Sequence, residues 1–358
     1  MPTTNRTLVP FSIAAELEAN RPLWPAALLP PDRVEAARAA ASALPPIFHW
    51  VILEGRLTGA DPRVDLMACL IDGPGVRDRV AAALRRPQAP LLEDARPLLE
   101  AWARPAAHAR RRCMERTPLL WLEWDAPFDR APFQLPFIDR RFWGDPGAPA
   151  AGVDELVAMI ADGYAATFAE PYPDVTLALF RRVITALPRG ARALAAASLR
   201  PRGIPRERLF VSVPQPLVLA WLDAVGWPGE RAPLRTWLPR IVAPWEEAFL
   251  QIELDPATGA VTGYLGVEPR QTELSLVERR ERGRLFARLV ADGLADPARV
   301  AAIEAWTGAP SRRGPHRVVR SVHLKCVFQP AAPLEVKAYL GLHLRERGPA
   351  RPVARLVH

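Results

Sequence analysis

From Val318 to Leu344 the chain alternates between two chemistries, residue by residue, on either side of Gln329-Pro330-Ala331-Ala332-Pro333. Glu335, Lys337, Tyr339, Gly341 and His343 fall on one face, and Val336, Ala338, Leu340 and Leu342 on the other. His323 and Lys325 alternate in the same way against Leu324, Cys326 and Phe328. A period of two is the signature of strands, so this stretch predicts a hairpin with one apolar face that something must cover.

The same unit recurs. Strand patterns over 48–56 and 64–71 flank Thr58-Gly59-Ala60-Asp61-Pro62, and those over 249–255 and 261–267 flank Pro256-Ala257-Thr258-Gly259. Residues 119–125 form a further strand before a proline-rich turn, and 209–213 a short one. Apolar residues at three- and four-residue steps predict helices over 75–84, 91–103, 153–168, 176–199, 273–294 and 297–306. Strand groups thus start near 48, 119, 249 and 318, at steps of about 70, 130 and 70 residues, with the unit around 200–225 the least regular. Thr262-Gly263-Tyr264-Leu265-Gly266-Val267 matches Lys337-Ala338-Tyr339-Leu340-Gly341-Leu342, and Trp121-Leu122-Glu123-Trp124-Asp125 matches Gln251-Ile252-Glu253-Leu254-Asp255. Matches at equivalent points of the plan point to internal duplication.

The fold class is therefore α+β, built from repeated units of two helices and an antiparallel hairpin. Residues 1–45 read as an N-terminal extension, 46–346 as one repeat-built domain and 347–358 as a tail. Two arrangements cover the apolar faces: an open antiparallel sheet with its other face in water, or a sheet closed into a barrel with helices outside. Faces that pair ionisable residues with Tyr, Trp and Gly favour the barrel with a polar lumen.

The bulk numbers exclude several classes. Hydrophobic residues make up 49% and charged residues 24% of 358 residues, as in a globular protein. The net charge of +8 is spread along the chain, as in Val277-Glu278-Arg279-Arg280-Glu281-Arg282, which argues against a nucleic-acid partner. Cys69, Cys113 and Cys326 are too far apart for a metal or disulfide framework. No apolar run reaches the ~18 residues of a membrane span, so a cytoplasmic location is expected. There is no phosphate loop, dinucleotide fingerprint, nucleophile elbow, His-Glu-x-x-His helix or Asp-Asp-x-x-Asp pair.

Among 45 arginines stand only two lysines, Lys325 and Lys337, both in the last hairpin. An ammonium is a compact point charge that a planar guanidinium does not replace at an oxyanion. The two can equally pair with Glu335 and Glu253 across the sheet.

Repeated helix pairs and hairpins with Lys337-Ala338-Tyr339 on an inward strand resemble the aromatic prenyltransferases of the ABBA barrel type. The stretch Leu209 to His343, with Ala220-Trp221-Leu222-Asp223-Ala224-Val225-Gly226-Trp227, is most similar to the cyanobactin-type peptide prenyltransferases. The resemblance implies transfer of an isoprenoid from its diphosphate to an aromatic small molecule or peptide in natural-product biosynthesis. No covalently bound cofactor is implied, and Mg²⁺ can accompany the diphosphate. Lys325 and Lys337 would hold the leaving group with Tyr339, Tyr264 and His323 as donors, and Arg56 as a further ligand. The face of Arg56 is open, because 48–56 alternates without a clean apolar side. Trp121 would be the wall for the carbocation, or a core residue. Glu123 and Glu253 would orient the nucleophile or take its proton. The other reading is a non-catalytic peptide-binding accessory protein, with the lysines in surface pairs.

Overall fold

In the computed structural model, residues 8–59, 63–86, 90–107, 111–139, 151–242, 246–269, 276–308, 312–313 and 316–346 are described. Ten strands carry the architecture: β1 (Trp50–Arg56), β2 (Asp65–Ile71), β3 (Leu119–Trp124), β4 (Phe133–Pro136), β5 (Arg192–Ser198), β6 (Glu207–Pro214), β7 (Glu247–Asp255), β8 (Ala260–Pro269), β9 (His316–Phe328) and β10 (Glu335–Glu346). They pair in the order β4-β3-β2-β1-β10-β9-β8-β7-β6-β5, antiparallel throughout. Beyond β4 the chain returns to β5: Phe137 bridges Ala195, and Ile138 N–H donates to Leu194 O at 2.8 Å. That bridge brings the two ends of the sheet together and nearly closes it into a barrel.

Each hairpin is followed by helices that lie on its outer face. α1 (Ile13–Ala19) and α2 (Pro31–Ala41) precede the first hairpin, and α3 (Val76–Leu84), α4 (Pro90–Glu93), α5 (Arg96–Ala103) and α6 (Arg111–Arg116) follow it. α7 (Val153–Phe168) and α8 (Asp174–Thr185) follow the second, α9 (Val218–Ala224) and α10 (Arg231–Ile241) the third, and α11 (Leu276–Ala291) and α12 (Pro297–Gly308) the fourth. Local signals start them: Ser12 Oγ accepts from Ala15 N–H at 3.4 Å, and Asp296 Oδ1 accepts from Ala298 N–H at 2.7 Å. Helices need this arrangement because most of their stability comes from packing an apolar face.

Strand alternation then divides the interior in two. The outward residues Val51, Leu53, Leu122, Trp124, Val336, Ala338, Leu340 and Leu342 join α-helical residues such as Leu17, Trp102, Phe180 and Trp306 in one large core. The inward residues Trp50, Ile52, Cys69, Trp121, Phe133, Leu135 and Tyr339 form a second, separate cluster within the barrel. Gly55 faces outward for a steric reason: a Cβ there would sit 2.9 Å from Leu28 Cγ. This settles the first strand, placing Glu54 and Arg56 inside.

The third unit departs from the sequence reading. The helix expected over 176–199 stops at Thr185, and 192–198 is β5. Alanine is the strongest helix former, but Pro188 and Gly190 (φ 88°) break the helix, and pairing with β6 over Arg192↔Ser212 to Ser198↔Glu207 prevails. β4 was also not expected from its sequence. The tail at 347–358, Arg110 and Glu273 lie outside the described residues. No helix among the described residues is long and apolar enough to cross a membrane.

Candidate active site

β1 and β10 lie side by side with Arg56 opposite Lys337, Glu54 opposite Tyr339 and Ile52 opposite Gly341. Lys337 Nζ donates to Glu54 Oε1 at 2.8 Å, and Arg56 Nη2 lies 3.1 Å from the same oxygen. Arg56 also donates to Asp65 Oδ2 at 3.0 Å and has Glu335 at 3.5 Å. Glu54 is 1% exposed. Burial alone would push its carboxyl up, but Lys337, Lys325 and Arg56 outweigh burial and hold it well below the usual carboxylate range. Burial and the neighbouring Glu54 push Asp65 up to about 6 against the pull of Arg56.

The cross-sheet pairs expected for the lysines are thus corrected. Lys337 faces Glu54, which stands on the adjacent strand β1, whereas Glu335 faces Arg56 and Glu253 faces Arg208. The two expected carboxylates, Glu123 and Glu253, both stand inside the barrel beside arginines. Arg202, from the β5–β6 turn, reaches over to Glu123 at 2.7 Å and Asp125 at 2.7 Å, with its guanidinium 4.7 Å from the Phe133 ring. Burial raises Glu123, and Arg202 overcomes it so that the carboxyl is held low. Arg208 Nη2 donates to Glu253 Oε1 at 2.6 Å.

Lys325 is different. It is 6% exposed, and its Nζ donates to the neutral Gln251 Oε1 at 3.3 Å while lying 5.2 Å from the centre of the Tyr339 ring. No carboxylate oxygen among the described residues lies within salt-bridge distance of it. An ammonium has three donors, so this one has capacity to spare. Beside it Gly266 leaves a floor without a side chain: a Cβ there would meet Lys325 Cδ and Gln251 Cβ at 3.2 Å and Tyr264 Oη at 3.3 Å. Arg208 stacks 4.7 Å above the Tyr264 ring, and its buried Nε has no hydrogen-bond partner. Lys325, Tyr264 and Arg208 make one contiguous patch of unspent donors.

Beyond this patch the lumen is aromatic. Trp50 lies 5.5 Å from Trp121, 5.7 Å from His323 and 5.1 Å from His343, measured between ring centres. Gly341 makes room for it, since a Cβ there would fall 2.5 Å from the indole nitrogen. Burial brings both His323 and His343 down to about 4, with Arg317 adding to the effect on His343, so both rings are neutral at pH 7. Trp121 is 8% exposed and packs with Phe133, Leu135 and Phe137 in the inner cluster as a core residue.

The chain matches two solved barrels over nearly its whole length. One is a 6-dimethylallyl tryptophan synthase, 14% identical, covering 93% of this chain and 97% of that one with a TM-score of 0.52. The other is the 5-dimethylallyltryptophan synthase from Streptomyces coelicolor, 13% identical, covering 92% and 97% with a TM-score of 0.50. The fold is that of the ABBA-type aromatic prenyltransferases. No protein-family model matches the chain, and no curated protein matches it in sequence. In this ABBA barrel the repeats seen in sequence place Tyr264 and Gly266 at the positions in their hairpin that Tyr339 and Gly341 hold in theirs.

Sequence reasoning did not single out Glu54, Asp65, Arg208, Gln251, Glu268 or Trp50. The signal for Arg208 exists: Arg208, Phe210 and Ser212 alternate against Leu209, Val211 and Val213. For Glu54 it exists only once Gly55 is known to face Leu28. Among the described residues no group of three His, Cys, Asp or Glu side chains could hold a metal ion.

Proposed function

We propose that the protein transfers an isoprenoid from its diphosphate to an aromatic nucleophile, either a small molecule or an aromatic side chain of a peptide. The observation that carries this reading is the patch of Lys325, Tyr264 and Arg208, where donors without carboxylate partners or with unspent N–H groups lie on the inner face of the barrel, with Lys325 beside Tyr339 of the inner aromatic cluster.

The chemistry follows from that placement. Diphosphate oxygens accept from Lys325 Nζ, Arg208 Nε and Tyr264 Oη, and the C1–O bond ionises with its electron pair moving to the held leaving group. Donors fixed in advance at the developing anion are the largest contribution to such catalysis. Arg56 and Lys337 add positive potential, although each also holds Glu54, and Tyr339 and His323 supply further N–H or O–H groups. The allylic cation forms against Trp50 and Trp121, whose π faces stabilise it without a bond. Glu123, Glu253 and Glu54 are fixed carboxylates that accept from an N–H or O–H of the acceptor and so orient it. A Mg²⁺ ion, where one takes part, arrives on the diphosphate.

The accessory-protein reading draws on one observation: Arg56, Arg202, Arg208 and Lys337 already face carboxylates, as in a barrel that carries no anion. Incubation with dimethylallyl or geranyl diphosphate separates the two. With and without Mg²⁺, L-tryptophan, L-tyrosine and a tryptophan-containing peptide serve as acceptors, read by mass spectrometry. A product heavier by the isoprenyl group, or turnover of the donor to its alcohol, supports the enzyme. Intact donor after long incubation with folded protein favours the accessory protein.

A further inference from the structure

Most carboxylates on the inner face of the barrel are clamped by a cation, Glu335 by Arg56 and Glu247 by Arg192 among them. Glu54 has Lys337 and Arg56, Asp65 has Arg56, Glu123 has Arg202 and Glu253 has Arg208, all at 3.1 Å or less. The cations hold Glu54 and Glu123 low, and Asp65, which burial raises, has both oxygens occupied, Oδ2 by Arg56 and Oδ1 by the Ala126 N–H. Glu268, by contrast, is hydrogen-bonded by the neutral Gln251 amide. It is half-buried.

Its position joins the two halves of the site. The β8–β9 ladder pairs Val267 with Cys326, and Glu268 and Lys325 are the next residues along each strand. On its other side Glu268 is opposite Phe249, which packs on the inner aromatic cluster. Gln251, 5% exposed, lies between: its carbonyl oxygen accepts from Lys325 and its N–H donates to Glu268. The amide is thereby fixed in one orientation and links the Lys325 ammonium to the Glu268 carboxylate, whose cross-strand neighbour Phe249 packs on the inner aromatic cluster.

We infer that Glu268 is the proton acceptor of the transfer reaction, and that Gln251 is the residue that positions it. This rests on the prenyl-transfer reading. The C1–O bond of the donor breaks and its electron pair leaves with the diphosphate. The acceptor's aromatic carbon then bonds to C1, giving a cationic ring. Glu268 takes the proton from that carbon, and the C–H electron pair restores the ring. Burial raises the Glu268 carboxyl, with Lys325 and the Gln251 bond opposing and Glu54 and Glu123 adding to it. Tyr339, from β10, faces the same three carboxylates. A diphosphate on Lys325 adds negative charge beside Glu268 and strengthens it as a base once the leaving group is in place.

Glu268→Gln is the test, because an amide oxygen can still accept from Gln251 and a merely structural role is retained. Expected are an unchanged thermal melt, dimethylallyl diphosphate affinity within about threefold, and transfer slower by about 10²–10⁴-fold. Glu268→Asp should recover part of the rate, and the acid limb of the wild-type kcat/KM profile should vanish in Glu268→Gln. If none of the aromatic acceptors is used, donor hydrolysis reads the same proton from trapped water, and the same loss is expected. Wild-type turnover with an unaffected Glu268→Gln rate overturns the inference and leaves the proposed function standing. Wild-type protein that neither binds nor consumes the donor overturns the proposed function itself.

Discussion

Replacing the two lysines separately by methionine should have unequal consequences. Lys337→Met strands Glu54, which is 1% exposed and loses its 2.8 Å partner. Breaking a buried pair by removing one member costs about 3–5 kcal/mol. Arg56 remains 3.1 Å away, which places the loss near the low end, about 3 kcal/mol. At roughly 2.1 cal/mol/K of unfolding entropy per residue, that is a fall of about 4 °C in Tm for this chain. Glu54 is held below its unfolded value, so its contribution is fully present above the unfolded carboxylate range, near pH ~4.3. It is lost as pH falls through the lower folded value, so the gap to wild type should be widest at pH 7 and narrower below pH ~4. Lys325→Met removes one bond to a neutral amide and an attraction on Glu54 that Lys337 and Arg56 still supply, but also the cost of burying an ammonium, so it should destabilise clearly less than Lys337→Met, by about 1 kcal/mol. Urea denaturation at the two pH values reads both variants. Equal destabilisation by the two substitutions, or a Lys337→Met gap that does not narrow in acid, would refute the division between a clamped and an unclamped lysine.

Three further outcomes are expected. Gly341→Ala places a methyl group against Ser321 and Trp50, so the indole must shift; the cost should be about 1–3 kcal/mol, with altered tryptophan fluorescence. Gly266→Val fills the floor beside Lys325, Gln251 and Tyr264, and should weaken allylic diphosphate binding at least tenfold in calorimetry while the far-ultraviolet dichroism is kept. On the outside of β6, burial brings Glu207 up to about 7 against hydrogen bonds from Tyr172 at 2.7 Å and Ser198 at 3.1 Å. Its folded value exceeds its unfolded one, so this contribution is full below pH ~4.3 and is lost as pH rises through 7. The wild-type Tm should therefore fall between pH 5 and 8, and Glu207→Gln should flatten that slope; an unchanged slope would exclude Glu207 as its source.

Much of the barrel could be read before the structure because period-two alternation is a local property. Val336, Ala338, Leu340 and Leu342 must be covered whatever the rest of the chain does, and the hairpins at 249–267 and 318–344 were evident from it. The third unit was obscured because Ala193 to Ala197 have helical propensity, and their strand state is set by pairing with a segment fifteen or so residues away. In the site, Lys325, Lys337, Tyr339 and Tyr264 could be assigned to one lumen from their faces alone. Which lysine is free could not, because that depends on Glu54, whose face is decided by Gly55 meeting Leu28. Glu268 sits at the end of an ordinary hydrophobic strand, and only the Gln251 bridge to Lys325 marks it out.

The central claim is that an unclamped ammonium in a nearly closed barrel holds an isoprenoid diphosphate. Calorimetric titration of dimethylallyl diphosphate into the wild type and Lys325→Met tests it most directly. The account predicts saturable binding by the wild type and a loss of about 10–150-fold in the variant, the worth of one hydrogen bond to a charged group. Equal affinity of the two proteins, or no binding by folded wild type with or without Mg²⁺, would contradict it.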